Sequence, residues 1–475
     1  MLTASPRDTA SPVFERRNPI TDEVVTSARA MTPAEACALA DAAAAAFPAW
    51  SALGPNARRA KLLRAADVLE SRAADFARVM AAEAAMSAGW AGFNVHLAAG
   101  MLREAASMTT QITGEIIPAD KPNCFSMAVR QPAGVVLGIA PWNAPVILGI
   151  RAIAMPLACG NTVILKASEI SPGTHALIGE VLAEAGLGDG VVNVVTNALA
   201  DAPVVVEALI AHPAVRRVNF TGSTRVGRTI AELCARQLKP VLLELGGKAP
   251  LVVLDDADLA QAVDAAAFGG FMNQGQICMA TERIVVDEAV ADAFVERLGR
   301  KAESLSTGDP TKEDVVLGAV IGREAAERIE GLIVDAVDKG AKLVAGGKRN
   351  GTIMEATVLD EVTPAMRIYG EESFGPVVAV VRVRGVEEAV RVANDNEYGL
   401  SSAVFGRDVA RALDVAKRID AGICHVNGPT VNDEAQMPFG GVKGSGYGRF
   451  GGKAAIAEFT DLRWITIEGP QHYPF

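Results

Sequence analysis

Cys278 is the residue whose surroundings best fit a reactive nucleophile. It lies in NQGQICMA (residues 273–280), a polar, glycine-bearing break between an alanine-rich helical segment and the strand-like TERIVVDE. Such a break could expose the thiol near a cleft, where a carboxylate base or local dipoles would convert it to a thiolate. Taken alone, a cysteine here also fits core packing. The other cysteines occupy apolar or helical settings typical of buried thiols: Cys37, Cys124, Cys159, Cys234 and Cys424.

Glu244 is the candidate base. It ends the apolar run VLLE and directly precedes the diglycine turn of LGGK (residues 245–248). Flanking leucines would desolvate the carboxylate, which raises its pKa and suits it to general-base work. A structural carboxylate that binds the N–H groups of the turn is the alternative.

A possible phosphate site lies in NFTGSTRVG (residues 219–227). Phe220 and Thr221 end a predicted strand, and Gly222 opens a turn before a helix that contains Gly227. This is where a parallel α/β sheet offers backbone N–H groups and a helix N-terminus to a phosphate. The usual dinucleotide spacing of glycines is not met, and an ordinary strand-to-helix turn fits equally well.

Lys166 and Glu169 end the strand-like NTVILKASE (residues 161–169). At the carboxyl edge of a parallel sheet, a carboxylate can hold ribose hydroxyls and repel a 2′-phosphate, while a lysine can bind the same sugar or a phosphate. A solvated ion pair at a strand end is the alternative.

Composition limits the class of protein. The chain has 475 residues, half of them apolar, which predicts two or three domains. A net charge of −11 with scattered acidic residues does not fit a nucleic-acid binder. No CxxC pair or histidine has metal-ligand spacing, so neither a disulfide framework nor a metal site is predicted. The N-terminal MLTASPRDTASPVF lacks a secretory pattern, and a cytoplasmic location is expected.

The alternation of elements predicts parallel sheets. Residues 33–112 have the apolar spacing of several helices, and short β-rich runs alternate with helical runs from residue 133 onwards. This pattern indicates a doubly wound α/β domain, and a second one after a boundary near Leu245. The uncharged segment 131–150 is long enough for a membrane span, but its prolines favour a buried strand, a turn and a helix start.

Two further strands are predicted at NCFSMAVRQP (residues 123–132) and in AIAEFTDLRWITIEG (residues 455–469), where a short helix precedes the strand. Little hairpin chemistry surrounds them, so we expect pairing with a neighbouring subunit.

Five ordered stretches resemble the NAD(P)-dependent aldehyde dehydrogenase superfamily, and the likeness covers nearly the whole chain. They are PWN (141–143), FTGST (220–224), ELGGK (244–248), GQICMA (275–280) and EESFGP (371–376). The resemblance implies an α/β fold with two doubly wound domains and a small β oligomerisation extension. It places the cofactor domain at 1–112 and 134–245, the catalytic domain at 246–442 and the oligomerisation segment at 113–133 and 456–475, in a homodimer or homotetramer.

The resemblance also implies catalytic roles. Cys278 would attack the aldehyde carbonyl, the Asn143 amide and the Cys278 backbone N–H would bind the oxyanion, and Glu244 would deprotonate the water that hydrolyses the thioester. NAD is the expected cofactor, with NADP also possible. Its implied binding residues are Trp142, Lys166, Ser168, Glu169, Phe220, Thr221, Gly222, Ser223, Gly227, Leu245, Gly246, Glu372 and Phe374.

The substrate is expected to be an aromatic aldehyde. WAGFNVH (90–96), RAIAMPL (151–157) and the segment 433–452 are similar to the aromatic-aldehyde branch, which includes salicylaldehyde and vanillin dehydrogenases. Arg151 stands where many general aldehyde dehydrogenases have tryptophan, and it is expected to reach a phenolic oxygen or a carboxylate of the substrate. The expected slot residues, each of which also fits ordinary core, are Trp90, Phe93, Arg151, Ile277, Met279, Phe439 and Tyr447.

Other functions remain open at this point. The enzyme could have broad or aliphatic specificity. It could also pass the acyl group to coenzyme A, but that reaction needs no base to activate water, so the presence of Glu244 argues against it. A non-catalytic packing role needs none of Cys278, Asn143 and Glu244.

Overall fold

The computed structural model describes residues 12–475, and most of the N-terminal stretch used above to infer a cytoplasmic location lies outside that range. The first elements are an antiparallel strand pair, four helices and two further strands. They are β1 (Val13–Arg17), β2 (Val24–Arg29), α1 (Pro33–Ser51), α2 (Pro55–Ser71), α3 (Ala73–Ala84), α4 (Ala88–Met108), β3 (Glu115–Ile117) and β4 (Cys124–Pro132). The predicted helices of residues 33–112 are therefore present.

A six-stranded sheet follows, with strands and helices in strict alternation. Its elements are β5 (Val135–Ile139), α5 (Pro145–Ala158), β6 (Thr162–Lys166), α6 (Pro172–Glu184), β7 (Val192–Val195), α7 (Ala202–Ala211), β8 (Val215–Thr221), α8 (Thr224–Arg236) and β9 (Val241–Glu244). These strands are parallel in the order β9-β8-β5-β6-β7. All residues of β5 and β6 are buried, as expected for parallel strands that helices cover on both faces.

The strand order reverses between β5 and β8. From β5 the chain moves through β6 to β7, and then returns to the other side of β5 with β8 and β9. Ligands of doubly wound sheets bind at this switch point, outside the carboxyl ends of the two strands. The segment after β5 carries Asn143 and the segment after β8 carries Ser223, so the topology places the two predicted motifs side by side.

A seven-stranded sheet forms the second half. Its region contains β10 (Ala249–Val253), α9 (Leu259–Phe271), β11 (Thr281–Asp287), α10 (Glu288–Glu303), α11 (Arg323–Asp338), β12 (Lys342–Ala345), β13 (Arg349–Asn350), β14 (Ile353–Met354), β15 (Thr357–Asp360), α12 (Arg367–Gly370), β16 (Val377–Val383), α13 (Gly385–Asn394), β17 (Ala403–Phe405), α14 (Val409–Lys417) and β18 (His425–Val426). The order is β12-β15-β16-β11-β10-β17-β18, and only β12 is antiparallel to its neighbour. The predicted second α/β unit is confirmed.

The chain ends with β19 (Gly446–Tyr447), α15 (Ala454–Glu458) and β20 (Thr460–Glu468). Strand β19 returns to the first sheet and pairs antiparallel with β9. Strand β20 pairs along its whole length with β4, and β3 lies on the other side of β4. These two strands pair with each other within the chain, and their expected pairing with a neighbouring subunit stays a prediction. One edge of β20 stays free in this three-stranded sheet.

The uncharged segment 131–150 forms the end of β4, strand β5, a turn and the start of α5, as the prolines predicted. Among residues 12–475, no helix combines the length and apolar character that crossing a membrane requires. The domain limits at residues 112, 133, 245 and 442 stay predictions.

Candidate active site

A strained turn presents Cys278. After α9 the chain makes a short 3₁₀ turn (Met272–Gly275) in which Asn273, Gln274 and Gly275 have φ values of 48°, 57° and 68°. Left-handed backbone costs free energy for residues with side chains, so it persists only where surrounding contacts hold it. A Cβ on Gly275 would lie 2.1 Å from the carbonyl oxygen of Gly375, so only glycine fits there.

Hydrogen bonds from three side chains hold this turn. The Asn273 amide donates to the carbonyl of Asn143 at 3.0 Å, and the Gln274 amide donates to the carbonyl of Ala319 at 2.9 Å. The Gln276 side-chain oxygen accepts from the N–H of Ile321 at 2.9 Å. The turn that carries the cysteine is thus tied both to the first sheet and to the segment before α11.

Asn143 supplies a hydrogen-bond donor beside the cysteine. It is buried after β5, and its side-chain amide donates to the carbonyl of Gln276 at 3.0 Å. The amide nitrogen carries two hydrogens, so one remains for another acceptor. The backbone N–H of Cys278 donates to no acceptor within residues 12–475. Both groups can therefore donate hydrogen bonds to the oxyanion that forms on a carbonyl oxygen when the sulfur attacks the carbonyl carbon.

Glu244 is fully enclosed at the end of β9. Its exposed fraction is 1%, and neither carboxylate oxygen has a hydrogen-bond partner of ordinary geometry among the described residues. Burial raises the pKa of Glu244 to about 7, while the nearby Cys278 thiol and the charge of Arg151 oppose that rise. A carboxyl group with this pKa can accept and release protons near neutral pH, so the general-base interpretation is favoured over the turn-binding one.

The Cys278 thiol is less exposed than its sequence indicated. The residue is partly accessible from a cavity, but protein encloses the sulfur, and this burial raises its pKa well above the ordinary value. The nearby charge of Glu244 raises the pKa of the thiol further, whereas Arg151 lowers it. The expectation for the other cysteines is only partly met, because Cys159 and Cys234 are buried and the remaining three are half-buried.

One cavity of about 220 Å³ brings predicted catalytic and cofactor residues together. It lies at the switch point between β5 and β8. Its walls include Trp142, Asn143, Thr221, Gly222, Ser223, Glu244, Gly246, Cys278, Glu372 and Phe374. Ser223 caps α8 by accepting from the N–H of Val226 at 3.5 Å, so the helix N-terminus faces this end of the sheet.

Other predicted cofactor residues shape this cavity from behind. Phe220 and Leu245 are buried in the core beside β8 and β9. A Cβ on Gly227 would lie 2.4 Å from the side chain of Leu245, so this glycine allows α8 to approach the strand. The glycine is needed for packing, and its position brings the helix N-terminus to the strand end.

Lys166 and Glu169 form a buried ion pair rather than a solvated one. Their side chains are 5% and 17% exposed, and the amide of Asn197 donates to the same Glu169 oxygen at 3.1 Å. Ser168 lies between them, with its N–H donating to His175 Nδ1 at 2.9 Å. The three predicted residues are thus fixed at the carboxyl end of β6, next to β5.

Two residues that the sequence analysis missed hold the EESFGP segment. Glu282 of β11 accepts the Lys248 ammonium at 2.6 Å, the N–H of Ser373 at 2.8 Å and the N–H of Phe374 at 2.9 Å. Beside this network, Glu372 accepts the N–H of Gly247 at 2.9 Å, and burial raises its pKa to about 8. A charged residue inside the apolar strand TERIVV was the available signal, because buried charges need partners.

The Phe374 ring meets Trp142 across the cavity. The ring centroids are 5.8 Å apart and the rings are nearly perpendicular, at 81°. Phe374 has a φ of 45°, in the left-handed region, which the bonds to Glu282 help to maintain. Both predicted aromatic contacts of the cofactor therefore lie in one place.

Arg151 faces a second, narrow cavity of about 20 Å³. It forms an ion pair with Asp433, and both side chains are at least nine-tenths buried. The guanidinium carbon lies 4.1 Å from the ring centroid of Phe439, a distance typical of a cation–π contact. The sequence analysis missed Asp433, which had no visible link to Arg151 because 282 residues separate the pair.

The remaining predicted slot residues form three groups, which are Trp90 with Phe93, Ile277 with Met279, and Tyr447 alone. Trp90 is buried, donates from its indole N–H to the Asn143 carbonyl at 3.0 Å, and stacks on the half-exposed Phe93. Ile277 and Met279 flank Cys278 and belong to the same core cluster as Trp90.

Tyr447 is not brought to the slot. It is 51% exposed and lies opposite Leu243 in the β19–β9 pair, whereas Gly446 lies opposite Glu244. Successive side chains of a strand point to opposite faces, and opposed residues share a face. Tyr447 therefore projects away from Glu244, and its predicted role in the substrate pocket is wrong.

Comparison with known proteins supplies the family. A sequence profile described as the aldehyde dehydrogenase family matches residues 7–465. The chain belongs to this family. It is 64% identical over 462 residues to a vanillin dehydrogenase of Pseudomonas sp. strain HR199, covering 97% of this chain and 96% of the relative. A benzaldehyde dehydrogenase [NAD(+)] of Pseudomonas putida is 40% identical, with 92% and 90% covered.

A solved structure of the family superposes closely on this aldehyde dehydrogenase. It is a salicylaldehyde dehydrogenase from Pseudomonas putida G7 complexed with salicylaldehyde, which is 54% identical. The TM-score is 0.96, with 98% of this chain and 96% of that chain covered. The sequence resemblance and the predicted fold class are confirmed.

The cavity at the switch point fits the nicotinamide dinucleotide that named relatives of this aldehyde dehydrogenase use. It lies between strand ends and the N-terminus of α8, where phosphates bind. Gly246 leaves room at its wall, because a Cβ there would lie 2.6 Å from a Glu372 oxygen. Residues 12–475 hold no cluster of histidine, cysteine or acidic side chains arranged for a metal ion.

Proposed function

We propose that this aldehyde dehydrogenase oxidises an aromatic aldehyde to the free carboxylic acid, with NAD as the cofactor. The observation that carries the proposal is the single cavity in which Cys278, Asn143 and Glu244 meet. The relatives support the substrate class, because three of them are named for vanillin, salicylaldehyde and benzaldehyde.

The reaction begins at the sulfur. Cys278 loses its proton, for which Glu244 is the adjacent base, and the thiolate attacks the aldehyde carbonyl to give a thiohemiacetal. The free N–H of the Asn143 amide and the backbone N–H of Cys278 donate to the developing oxyanion. The buried position of the sulfur excludes water, which strengthens these interactions.

NAD, when bound, supplies the acceptor for the hydride that leaves the former aldehyde carbon. On the protein side, we assign its binding to Trp142, Lys166, Ser168, Glu169, Thr221, Gly222, Ser223, Gly246, Glu372 and Phe374. Glu244 releases to solvent the proton that it took from Cys278 and then takes a proton from a water molecule. The resulting hydroxide attacks the thioester, the C–S bond breaks and the acid leaves, and Glu244 returns its proton to the Cys278 sulfur.

Glu169 supports NAD rather than NADP. Its carboxylate lies at the carboxyl end of β6, where it can accept bonds from ribose hydroxyls and would repel a 2′-phosphate. Lys166 is already paired with this carboxylate, so its charge is compensated. The name of the benzaldehyde relative specifies NAD(+).

The buried carboxylate of Glu244 favours release of a free acid over transfer to coenzyme A. A thiol acceptor needs no base of this kind, whereas hydrolysis does. A preference for aliphatic aldehydes is the second possibility. The apolar, aromatic wall beside Arg151 favours aldehydes with an aromatic ring over aliphatic ones.

Substrate profiling tests the proposal. NADH formation is measured with benzaldehyde, salicylaldehyde, vanillin, and short and long aliphatic aldehydes, with and without coenzyme A. We expect the highest kcat/KM for the aromatic set without coenzyme A. A clear advantage for aliphatic aldehydes, or dependence on coenzyme A, would remove the proposed substrate class.

Cys278→Ala tests the chemistry separately. We expect turnover to fall at least about 10⁴-fold because the covalent step is lost. Binding of NAD, followed by quenching of protein fluorescence, should stay near wild type. Substantial remaining activity would exclude Cys278 as the nucleophile.

A further inference from the structure

His175 of α6 is fully buried, and both of its ring nitrogens contact backbone groups. Nδ1 accepts a hydrogen bond from the N–H of Ser168 at 2.9 Å, and Nε2 lies 3.1 Å from the carbonyl oxygen of Pro145. Because a backbone N–H can only donate, Nδ1 carries no proton, and the neutral ring donates from Nε2 to the carbonyl. Burial lowers the pKa of His175 to about 4, which keeps the ring neutral at neutral pH.

The two backbone groups belong to different segments of the first sheet. Ser168 follows β6 and lies between Lys166 and Glu169, the buried ion pair described above. Pro145 is the first residue of α5 and stands two residues after Asn143. Strands β5 and β6 are parallel neighbours, so their carboxyl ends lie side by side. One imidazole thus joins the segment after β6 to the segment after β5.

Helix α5 leaves room for this ring at Gly149. A Cβ on Gly149 would lie 3.2 Å from Cδ2 of His175 and 2.6 Å from Cδ1 of Ile178, which is also fully buried on α6. A larger residue at this position would push the two helices apart, since protein interiors are closely packed. The glycine therefore keeps α6 close enough to α5 for the bond between the ring and Pro145.

A role in proton transfer does not fit His175. Within the described residues it does not line the cavity of Cys278, and backbone groups occupy both ring nitrogens. A general base needs a nitrogen within reach of the proton that it takes. The ring therefore acts through the backbone that it holds.

We infer that His175 is a positioning residue for the cofactor. By holding the N–H of Ser168 against the start of α5, it fixes the spacing between the pair of Lys166 and Glu169 and the turn that carries Trp142. NAD has to reach both places at once, so a change in their spacing weakens its binding. The inference rests on the proposed function, which assigns NAD to these residues.

His175→Leu removes both bonds. Leucine has no polar atom, so the N–H of Ser168 stays buried without an acceptor. We expect Kd for NAD, measured by isothermal titration calorimetry, and KM for NAD both to rise about tenfold. At saturating NAD, kcat and KM for the aldehyde should change by less than about twofold. An unchanged Kd for NAD would overturn the inference.

His175→Asn and His175→Gln separate the two bonds. Asparagine can present its oxygen where Nδ1 lies, so Kd for NAD should stay within about threefold of wild type. Glutamine can donate to the Pro145 carbonyl but leaves Ser168 without an acceptor, so Kd should rise as in His175→Leu. This comparison also decides the matter if the leucine variant does not fold. Equal Kd values for the asparagine and glutamine variants would contradict the positioning role.

Ile178→Val is the matched control. It removes one methyl group from the same contact between α5 and α6, so stability falls while Kd for NAD should stay within about twofold of wild type. A rise as large as that of His175→Leu would overturn the inference, because loosening of α6 would then explain both effects. A wild type that does not bind NAD would overturn the inference and the proposed cofactor together. A wild type that binds NAD but oxidises no aromatic aldehyde would refute the proposed function alone, because the Kd series still decides the role of His175.

Discussion

At the scale of single residues, the most informative pair is Glu244 and Cys278. Burial raises the pKa of both groups; the charge of Glu244 raises the pKa of the Cys278 thiol further, whereas the thiol lowers the pKa of Glu244. The two groups therefore cannot both be charged at low cost in the enclosed cavity. Moving the proton from one group to the other therefore costs less free energy than ionising both groups.

Glu244→Gln should separate the two halves of the reaction. Without the carboxylate charge, the pKa of the Cys278 thiol falls, so attack and the first turnover persist. Hydrolysis loses its base, and steady-state turnover should drop about 10²- to 10⁴-fold. Rapid-mixing measurements should record a burst of NADH followed by a stall. Normal steady-state turnover would place the base elsewhere.

The same carboxyl group predicts how stability depends on pH. Its pKa is about 7 in the folded chain and 4.5 ordinarily, so the folded state binds the proton more tightly. The contribution is present below pH 4.5 and is lost as pH rises through 7, with a total on the order of 3 kcal/mol. Urea unfolding at pH 5 and pH 8 should therefore show a smaller loss for Glu244→Gln than for wild type. Equal losses in the two proteins would contradict the shifted pKa.

At the scale of elements, strand ends position the chemistry. Strand β5 leads to Asn143, β8 to Ser223, β9 to Glu244, and the turn before β11 to Cys278. Alternating composition predicted the parallel strands, whose carboxyl ends lie at one edge of a doubly wound sheet, whereas the placement of Asn143 beside Cys278 was implied by the family resemblance.

Long-range pairs were beyond sequence reasoning. Arg151 and Asp433, or Lys248 and Glu282, meet only because separate elements pack together, and no local pattern connects them. The error at Tyr447 has a different cause. A strand of two residues has no periodicity to read, so its register, and hence the face of its side chain, could not be predicted.

Glu282→Gln should loosen the segment that contains Glu372 and Phe374. The variant keeps the shape but weakens three bonds to the segment and leaves the Lys248 ammonium buried without its counter-charge. We expect a loss of about 3 kcal/mol of stability and roughly a tenfold rise in KM for NAD, with a smaller change in KM for the aldehyde.

A matched variant distinguishes positioning from general damage. Glu361→Gln removes an exposed carboxylate that pairs with Lys342 at 2.7 Å, and its effect on unfolding should be below about 1 kcal/mol. A rise in both KM values to the same extent in Glu282→Gln would contradict a specific role at the cofactor segment.

At the scale of the whole molecule, the three-stranded sheet leaves large apolar side chains exposed. Leu462 and Trp464 lie on one face of it and are 61% and 74% exposed, whereas Ile467 and Ile116 lie on the other face and are 61% and 73% exposed. Exposed apolar side chains beside a free strand edge are typical of interfaces. We propose that a second copy of the chain covers the face of Leu462 and Trp464, in a homodimer or homotetramer.

Trp464→Glu tests this assembly. We expect a shift to a smaller species in light scattering coupled to size-exclusion chromatography, because a charge would be buried at the interface. Leu199→Glu is the matched control, since Leu199 is also 74% exposed but lies outside this sheet. A monomeric wild type, or an unchanged mass for Trp464→Glu, would contradict the proposal.

The carbonyl oxygen of Asn143 links the two halves of the chain. It accepts from Trp90 on α4 and from Asn273 in the cysteine turn, while the side chain of the same residue donates to Gln276. One peptide group thus fastens the oxyanion donor to the nucleophile's backbone. Because these bonds join Asn143 directly to the turn that carries Cys278, the distance between the amide donor and the sulfur should stay constant when ligands bind and leave.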